Sequence, residues 1–201
     1  MKIIVFDTET TGLPANGLPL EDQPHICQFA AILFDYDFKS KEMKEDRRVD
    51  ILIKPPIAIP HDATRIHGIS NDKVKDAPSF ADKADEIMKL FADSDLAVAH
   101  NIAFDKQLVG FELARLGRDK DFLPEQIYDT MLETKELCQI PGKMGGFRQP
   151  RLIDLYKHLF GKGFKDAHNA LYDVMATSQC LYYLLKSGYY QPEEPSQVSL
   201  F

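Results

Sequence analysis

The spacing of apolar residues changes several times along the chain. Ile3-Ile4-Val5-Phe6 is a short, mostly β-branched run, which predicts a buried strand. Thr11 to Pro24 holds Gly and Pro and predicts a loop. His25 to Phe34 predicts a second strand. Arg48 to Lys54 alternates and predicts a third, ended by Pro55, Pro56 and Pro60. Asp62 to Ile69 predicts a short helical turn. Ser79 is an N-cap for a helix reaching about Phe91, with Ala81, Ala84, Ile87, Met88 and Phe91 as its apolar stripe. Asp95 to Ala99 reads as a short central strand. The next helix spans Phe104 to Leu116, sets Leu108, Phe111, Glu112 and Arg115 on opposing faces, and closes at Gly117. Ile127 to Met131 predicts a strand leading into a helix. Gln139 to Gln149 predicts a loop, and Arg151 to Phe160 and His168 to Leu185 predict the last helices.

Three successive strands, then strands alternating with helices, predict an α/β fold: a mixed sheet with helices packed on it. The folded domain is expected over residues 1–187, with 188–201 as a flexible tail. Pro192, Glu193, Glu194, Pro195 and Ser196 are a poor folding mixture, although the tail ends in the apolar Val198-Ser199-Leu200-Phe201.

A length of 201 residues suits one domain, and 44% apolar with 27% charged residues excludes wholesale disorder. Cys27, Cys138 and Cys180 form no disulfide framework and no CxxC pair, which suits a reducing compartment. The N-terminal apolar run ends at once in Asp7, unlike a signal peptide, and no stretch has the length of a membrane span. The expectation is a soluble, cytoplasmic protein without a membrane partner. The 24 Lys and Arg against 31 Asp and Glu give a net charge of −7, which argues against a broad DNA-coating surface. An enzyme that grips only a chain end stays open, because bound metal ions supply local positive charge. Lys143, Phe147, Arg148 and Arg151 form a short basic stretch, suited to a phosphate backbone or equally to a solvated loop.

Several carboxylates fit their surroundings poorly. Asp7 and Glu9 sit at i and i+2 of a strand and point to one face. Two such charges repel unless a cation lies between them, and oxygen ligands suit Mg²⁺ or Mn²⁺. A solvated strand end is the alternative. Asp105 follows His100-Asn101-Ile102-Ala103-Phe104 in the first turn of a helix, where a charge also complements the helix dipole. Asp173 stands among Leu171, Val174, Met175 and Leu181, either as a buried carboxylate needing a cation or as an exposed residue between apolar stripes. Four carboxylates from three segments, with His168 near the last, match two-metal phosphoryl-transfer chemistry when taken together.

These segments resemble a known family. Phe6-Asp7-Thr8-Glu9-Thr10-Thr11-Gly12-Leu13, then His100 to Asp105, then His168 five residues before Asp173 look like the three motifs of the DEDDh (DnaQ-like) 3′–5′ exonucleases. That family includes the proofreading subunits of bacterial replicative DNA polymerases. Ile66-His67-Gly68-Ile69-Ser70 belongs to the likeness, which spans about residues 2 to 186. The sister subtype carries Tyr four residues before the last Asp; here that position is Asn169.

The resemblance implies a ribonuclease-H-like mixed β-sheet flanked by α-helices. It implies two divalent ions, Mg²⁺ or Mn²⁺: Asp7, Glu9 and Asp173 hold one, Asp7 bridges to the second, and Asp105 contributes directly or through water. His168 takes the proton of the attacking water, and a nucleoside 5′-monophosphate leaves. Thr8, Gly12, Leu13, His67, Asn101 and Phe104 are the implied substrate contacts, with Leu13 and Phe104 against bases and N–H groups near Thr8 on the 3′-hydroxyl. Gln197, Leu200 and Phe201 resemble a bacterial sliding-clamp-binding peptide. The implied partners are therefore DNA 3′ ends, a sliding clamp and a DNA polymerase, and the implied location is cytoplasmic, at the nucleoid in a bacterium. The motifs do not separate DNA from RNA, so an exoribonuclease remains the alternative. An inactive binding scaffold fits poorly with the full set of carboxylates and His168.

Overall fold

The computed structural model describes residues 1–118, 120–164 and 168–195. One sheet holds β1 (Lys2–Thr10), β2 (Ile26–Asp37), β3 (Glu42–Leu52), β4 (Leu96–Ala99) and β5 (Gln126–Asp129). Its order is β3-β2-β1-β4-β5. The β1–β2 and β2–β3 pairs are antiparallel, and β1–β4 and β4–β5 are parallel. The helices are α1 (His61–His67), α2 (Asn71–Val74), α3 (Phe80–Ala92), α4 (Ile102–Arg115), α5 (Thr130–Glu133), α6 (Lys135–Cys138), α7 (Leu152–Phe160) and α8 (Ala170–Ser187). This is the mixed sheet flanked by helices that the sequence predicts. Among the described residues no helix is long and apolar enough to cross a membrane.

Strand β1 is central, and its alternation divides its side chains between two cores. Ile4 and Phe6 pack with Phe29, Phe91 and Leu108, and Phe6 meets Phe91 edge to face at 4.9 Å. Ile3 and Val5 pack on the opposite side with Val174, Leu181 and Leu184 of α8. Each such fully buried side chain stabilises the fold by about 1.5–3 kcal/mol. Asp7 and Glu9 have the parity of Ile3 and Val5, so β1 delivers them to the α8 side.

Several boundaries differ from the sequence expectation. β1 continues past Phe6 to Thr10, because β2 pairs with it along its whole length. β3 begins at Glu42 rather than Arg48. Its early residues are charged and exposed along the sheet edge, which discourages further strand pairing and masks the alternation. α4 begins at Ile102 because the Asp129 carboxylate accepts the N–H groups of Asn101 and Ile102. β5 ends at Asp129, which also caps α5 through Met131 N–H. α8 begins at Ala170, after the N-cap Asn169, and reaches Ser187. Glu112, expected on a face opposed to the apolar one, is buried. Residues 188–195 lie against the body of the protein: Tyr190 stacks on Tyr128 at 3.7 Å, and Gln126 Nε2 donates to the Glu193 carbonyl at 3.0 Å.

Candidate active site

Asp7 and Glu9 on β1 meet Asp173 on α8. One carboxylate oxygen from each lies within 4.8 Å of those of the other two. The cause is local. The α8-facing row of β1 is apolar at Ile3 and Val5 and acidic at Asp7 and Glu9, while α8 presents Val174 to the apolar part and Asp173, one residue earlier, to the acidic part. Gln28 of β2 accepts the Ala170 N–H at 3.3 Å and fixes the start of α8 against the sheet.

The cluster is electrostatically costly by itself. Burial, then the charges of Asp105, Glu9 and Asp173, holds the Asp7 carboxyl well above the usual range. Burial and the charge of Asp173 push Glu9 up to about 8. Burial pushes Asp173 up to about 6, against the stabilising bond from His168 N–H. Among the described residues, no Lys or Arg lines the cleft around these groups. An all-oxygen donor set with no protein cation beside it fits a hard divalent metal ion.

Asp105 is buried but does not join the three. Its Oδ1 accepts the Thr8 N–H at 2.9 Å and the Thr8 hydroxyl at 2.7 Å. Burial pushes its carboxyl up to about 7, opposed by those two bonds. The Thr8 N–H, expected near a 3′-hydroxyl, is therefore committed to Asp105.

The cleft has a volume of about 470 Å³, within the usual range for ligand sites. Asp7, Thr8, Glu9, Gly12, Leu13, His67, Phe104, His168 and Asp173 line it; Asp105 and Asn101 do not. Leu13 is 79% exposed and Ile66, on α1 in the same cleft, is 59% exposed. His168 is exposed, has a left-handed backbone (φ 68°), and its N–H donates to Asp173 Oδ2 at 3.0 Å.

His67 has a defined tautomer. The Ile69 N–H donates to Nδ1 at 3.0 Å, which leaves Nε2–H to donate to the Thr10 carbonyl at 3.2 Å. Burial lowers its pKa and favours this neutral form. His67 thus braces α1 against β1. Asn101 takes the left-handed N-cap of α4 (φ 80°) without a side-chain capping bond. Arg148 and Arg151 both pair with Asp154, at 3.1 and 2.9 Å, so part of the basic stretch is internally neutralised.

Sequence reasoning missed Asp129 and Gln28. Both act through backbone N–H groups on other elements, and only the sheet register brings them there. Ile66, exposed on α1, adds apolar surface to the same cleft.

The mixed sheet flanked by helices, with an acidic cleft beside its central strand, has the ribonuclease-H-like α/β fold. Residues 4–181 match the family model described as Exonuclease, and the chain belongs to that family. It is a 3′–5′ exonuclease, a phosphodiester hydrolase. The chain is 31% identical over 190 residues to DNA polymerase III subunit epsilon of Buchnera aphidicola subsp. Schizaphis graminum, covering 93% of this chain and 75% of that one. The nuclease domain of 3′hExo, a DEDDh family member solved with rAMP, shares the fold with a TM-score of 0.72, 15% identity and 96% coverage of both chains. Exonuclease X, solved with 5′-overhanging duplex DNA, shares it with a TM-score of 0.61, 23% identity and 94% coverage of both.

Proposed function

We propose that this exonuclease releases nucleoside 5′-monophosphates from DNA 3′ ends in proofreading or repair. The observation that carries the reading is the meeting of Asp7, Glu9 and Asp173 in one cleft with His168 on its rim. These three carboxylates would hold divalent ions, Mg²⁺ or Mn²⁺, two by the family resemblance, with Asp105 as a further carboxylate toward them. When bound, the ions lower the pKa of water and offset charge developing on the phosphoryl group and the departing 3′-oxygen. His168, on the rim of the cleft, accepts the proton of the attacking water on its imidazole. Asp173 positions that histidine through its backbone N–H.

The remaining side chains bind and orient. Phe104 stacks on a base, worth about 1–3 kcal/mol where such stacking has been measured. Leu13 presses on the terminal nucleotide from the opposite lip, beside Gly12. Thr8 acts by fixing Asp105, His67 by fixing the Thr10 backbone, and Asn101 through its left-handed backbone at the start of α4. DNA is favoured by the likeness to a DNA polymerase subunit and to a nuclease solved with duplex DNA. The neighbour solved with rAMP keeps RNA trimming as the second reading.

Digestion of matched 3′- and 5′-labelled DNA and RNA oligonucleotides with Mg²⁺ or Mn²⁺ tests this. A ladder shortening from the 3′ end should vanish in EDTA and in Asp7→Ala and His168→Ala. Unchanged cleavage in either variant would overturn the site assignment, and a faster rate on RNA would move the substrate to the second reading.

The clamp-binding residues Gln197, Leu200 and Phe201 lie outside the described residues. The proposal keeps a sliding clamp as a partner through them, and a DNA polymerase as a separate partner. Deleting residues 197–201 should abolish clamp binding and leave cleavage of short oligonucleotides intact; unchanged clamp affinity removes the idea.

A further inference from the structure

The loop between β1 and β2 carries one lip of the cleft. It presents Leu13 at 79% and Leu18 at 48% exposure, yet its backbone is held at several points around them. At its base, Thr11 N–H donates to the His25 carbonyl at 2.9 Å, and His25 N–H donates to the Thr11 hydroxyl at 2.9 Å. Buried Gln23 accepts the Ala15 N–H through Oε1 at 3.1 Å. Its Nε2 donates to the carbonyls of Ala15 and Leu18 at 2.7 and 3.0 Å. The Arg115 guanidinium, in the last turn of α4, donates to the carbonyls of Leu20, Gln23 and Pro24 at 2.9, 2.6 and 3.2 Å. Glu112 pairs with Arg115 at 3.2 Å. Its other oxygen receives the Ile26 N–H at 3.0 Å and lies 3.1 Å from His25 Nδ1.

A buried ion pair is a poor device for stability alone, because apolar side chains of similar volume often do as well or better. A guanidinium can hold three carbonyls of an irregular segment in one arrangement, which an apolar side chain cannot. The loop held here also carries Leu13, an exposed apolar side chain that lines the cleft.

We propose that Arg115, with Glu112 and Gln23, is a positioning device that sets Leu13 against the nucleotide entering the cleft. This rests on the reading of Leu13 as a nucleotide contact. Helix α4 then serves both sides of the site: its first turn carries Asp105 and Phe104, and its last turn fixes the facing lip. A pre-set lip spares the entropy of ordering the loop at each binding event, so its loss falls on KM rather than on kcat.

The test is steady-state cleavage of a 5′-labelled DNA oligonucleotide by the full chain and by Arg115→Lys, Gln23→Ala, Leu13→Ala and the two doubles with Leu13→Ala. Each single variant should raise KM about three- to tenfold while kcat stays within about twofold. The doubles should be no worse than Leu13→Ala alone, since the device acts through that residue. Gln23→Ala touches only the loop, so it carries the same test if Arg115→Lys fails to fold. Multiplying effects in the doubles, or a fall in kcat at unchanged KM, would overturn the proposal. If Leu13→Ala leaves KM unchanged, the nucleotide-contact reading fails and the proposal with it. If Leu13→Ala raises KM and the other singles do not, only the positioning role fails.

Discussion

One oxygen of Asp105 receives both the N–H and the hydroxyl of Thr8, at 2.9 and 2.7 Å. The register explains why. The parallel ladder between β1 and β4 ends at Val5 and Val98, and β1 runs on to Thr10. Beyond that point the first turn of α4 stands where a neighbouring strand would be, and its Asp105 supplies the missing acceptor. The same contact holds Asp105 at a fixed distance from the Asp7–Glu9–Asp173 cluster.

Thr8→Val removes the hydroxyl bond while preserving shape and backbone. Loss of a hydrogen bond to a charged group, about 1.5 kcal/mol, predicts a fall in kcat of about tenfold. Thr8→Ser should retain most of the rate. Single-turnover cleavage of a labelled oligonucleotide measures this, and equal rates for Val and Thr at position 8 would mean that Asp105 needs no such anchor.

Asp129 is the corresponding anchor for the helix itself. Its carboxylate accepts the N–H groups of Asn101, Ile102 and Met131 at 3.0, 3.1 and 2.9 Å, so one buried side chain starts both α4 and α5. Asp129→Ala leaves those donors unpaired, at about 2–3 kcal/mol, which lowers Tm by about 4–12 °C for a chain of this size. Asp129→Asn, which keeps one acceptor oxygen, should lose less. Thermal unfolding of the three proteins checks the order, and an unshifted Tm for the alanine variant would contradict the capping role.

The juxtaposition of Asp7, Glu9 and Asp173 was legible because each breaks a local pattern: two acids on one face of a strand, one acid in an apolar helix. The Thr8–Asp105 bond was not legible, since it depends on where β4 stops pairing with β1. Glu112 was misplaced for a related reason. A charged residue at a helical position reads as exposed, and its burial depends on His25, 87 residues away, and on the loop that Arg115 gathers. The early half of β3 was hidden because the charges that protect an edge strand erase its period-2 signature.

Residues 188–195 yield another prediction. Tyr190 stacks on Tyr128 at 3.7 Å, and its N–H donates to the Leu184 carbonyl at 3.1 Å. Tyr190→Ala should cost about 1–2 kcal/mol, or about 2–8 °C in Tm, from lost aromatic packing. It should leave cleavage of short oligonucleotides unchanged, because neither ring lines the cleft. An unaltered Tm would show that this segment adds nothing to the fold and that the domain ends at Ser187 in energetic as well as sequence terms.

The acidic cluster ties stability to pH in a definite direction. Glu9 is pushed up to about 8, Asp105 to about 7 and Asp173 to about 6, chiefly by burial. In the unfolded chain such carboxyls titrate near 4. Between those limits the folded protein binds more protons than the unfolded one, so stability falls as pH rises. In EDTA, Tm should therefore drop between pH 5 and pH 8, by about 5 °C or more. Mg²⁺ should restore little at pH 5, where protons already neutralise the cluster, and more at pH 8, where it meets ionised carboxylates. Asp7→Asn removes the most strongly opposed charge. It should raise Tm in EDTA at pH 8, flatten the pH dependence, weaken the Mg²⁺ effect and abolish cleavage together. A metal-free Tm that does not change with pH, or an Asp7→Asn protein less stable than the parent at pH 8, would mean that the cluster is already neutralised by other means.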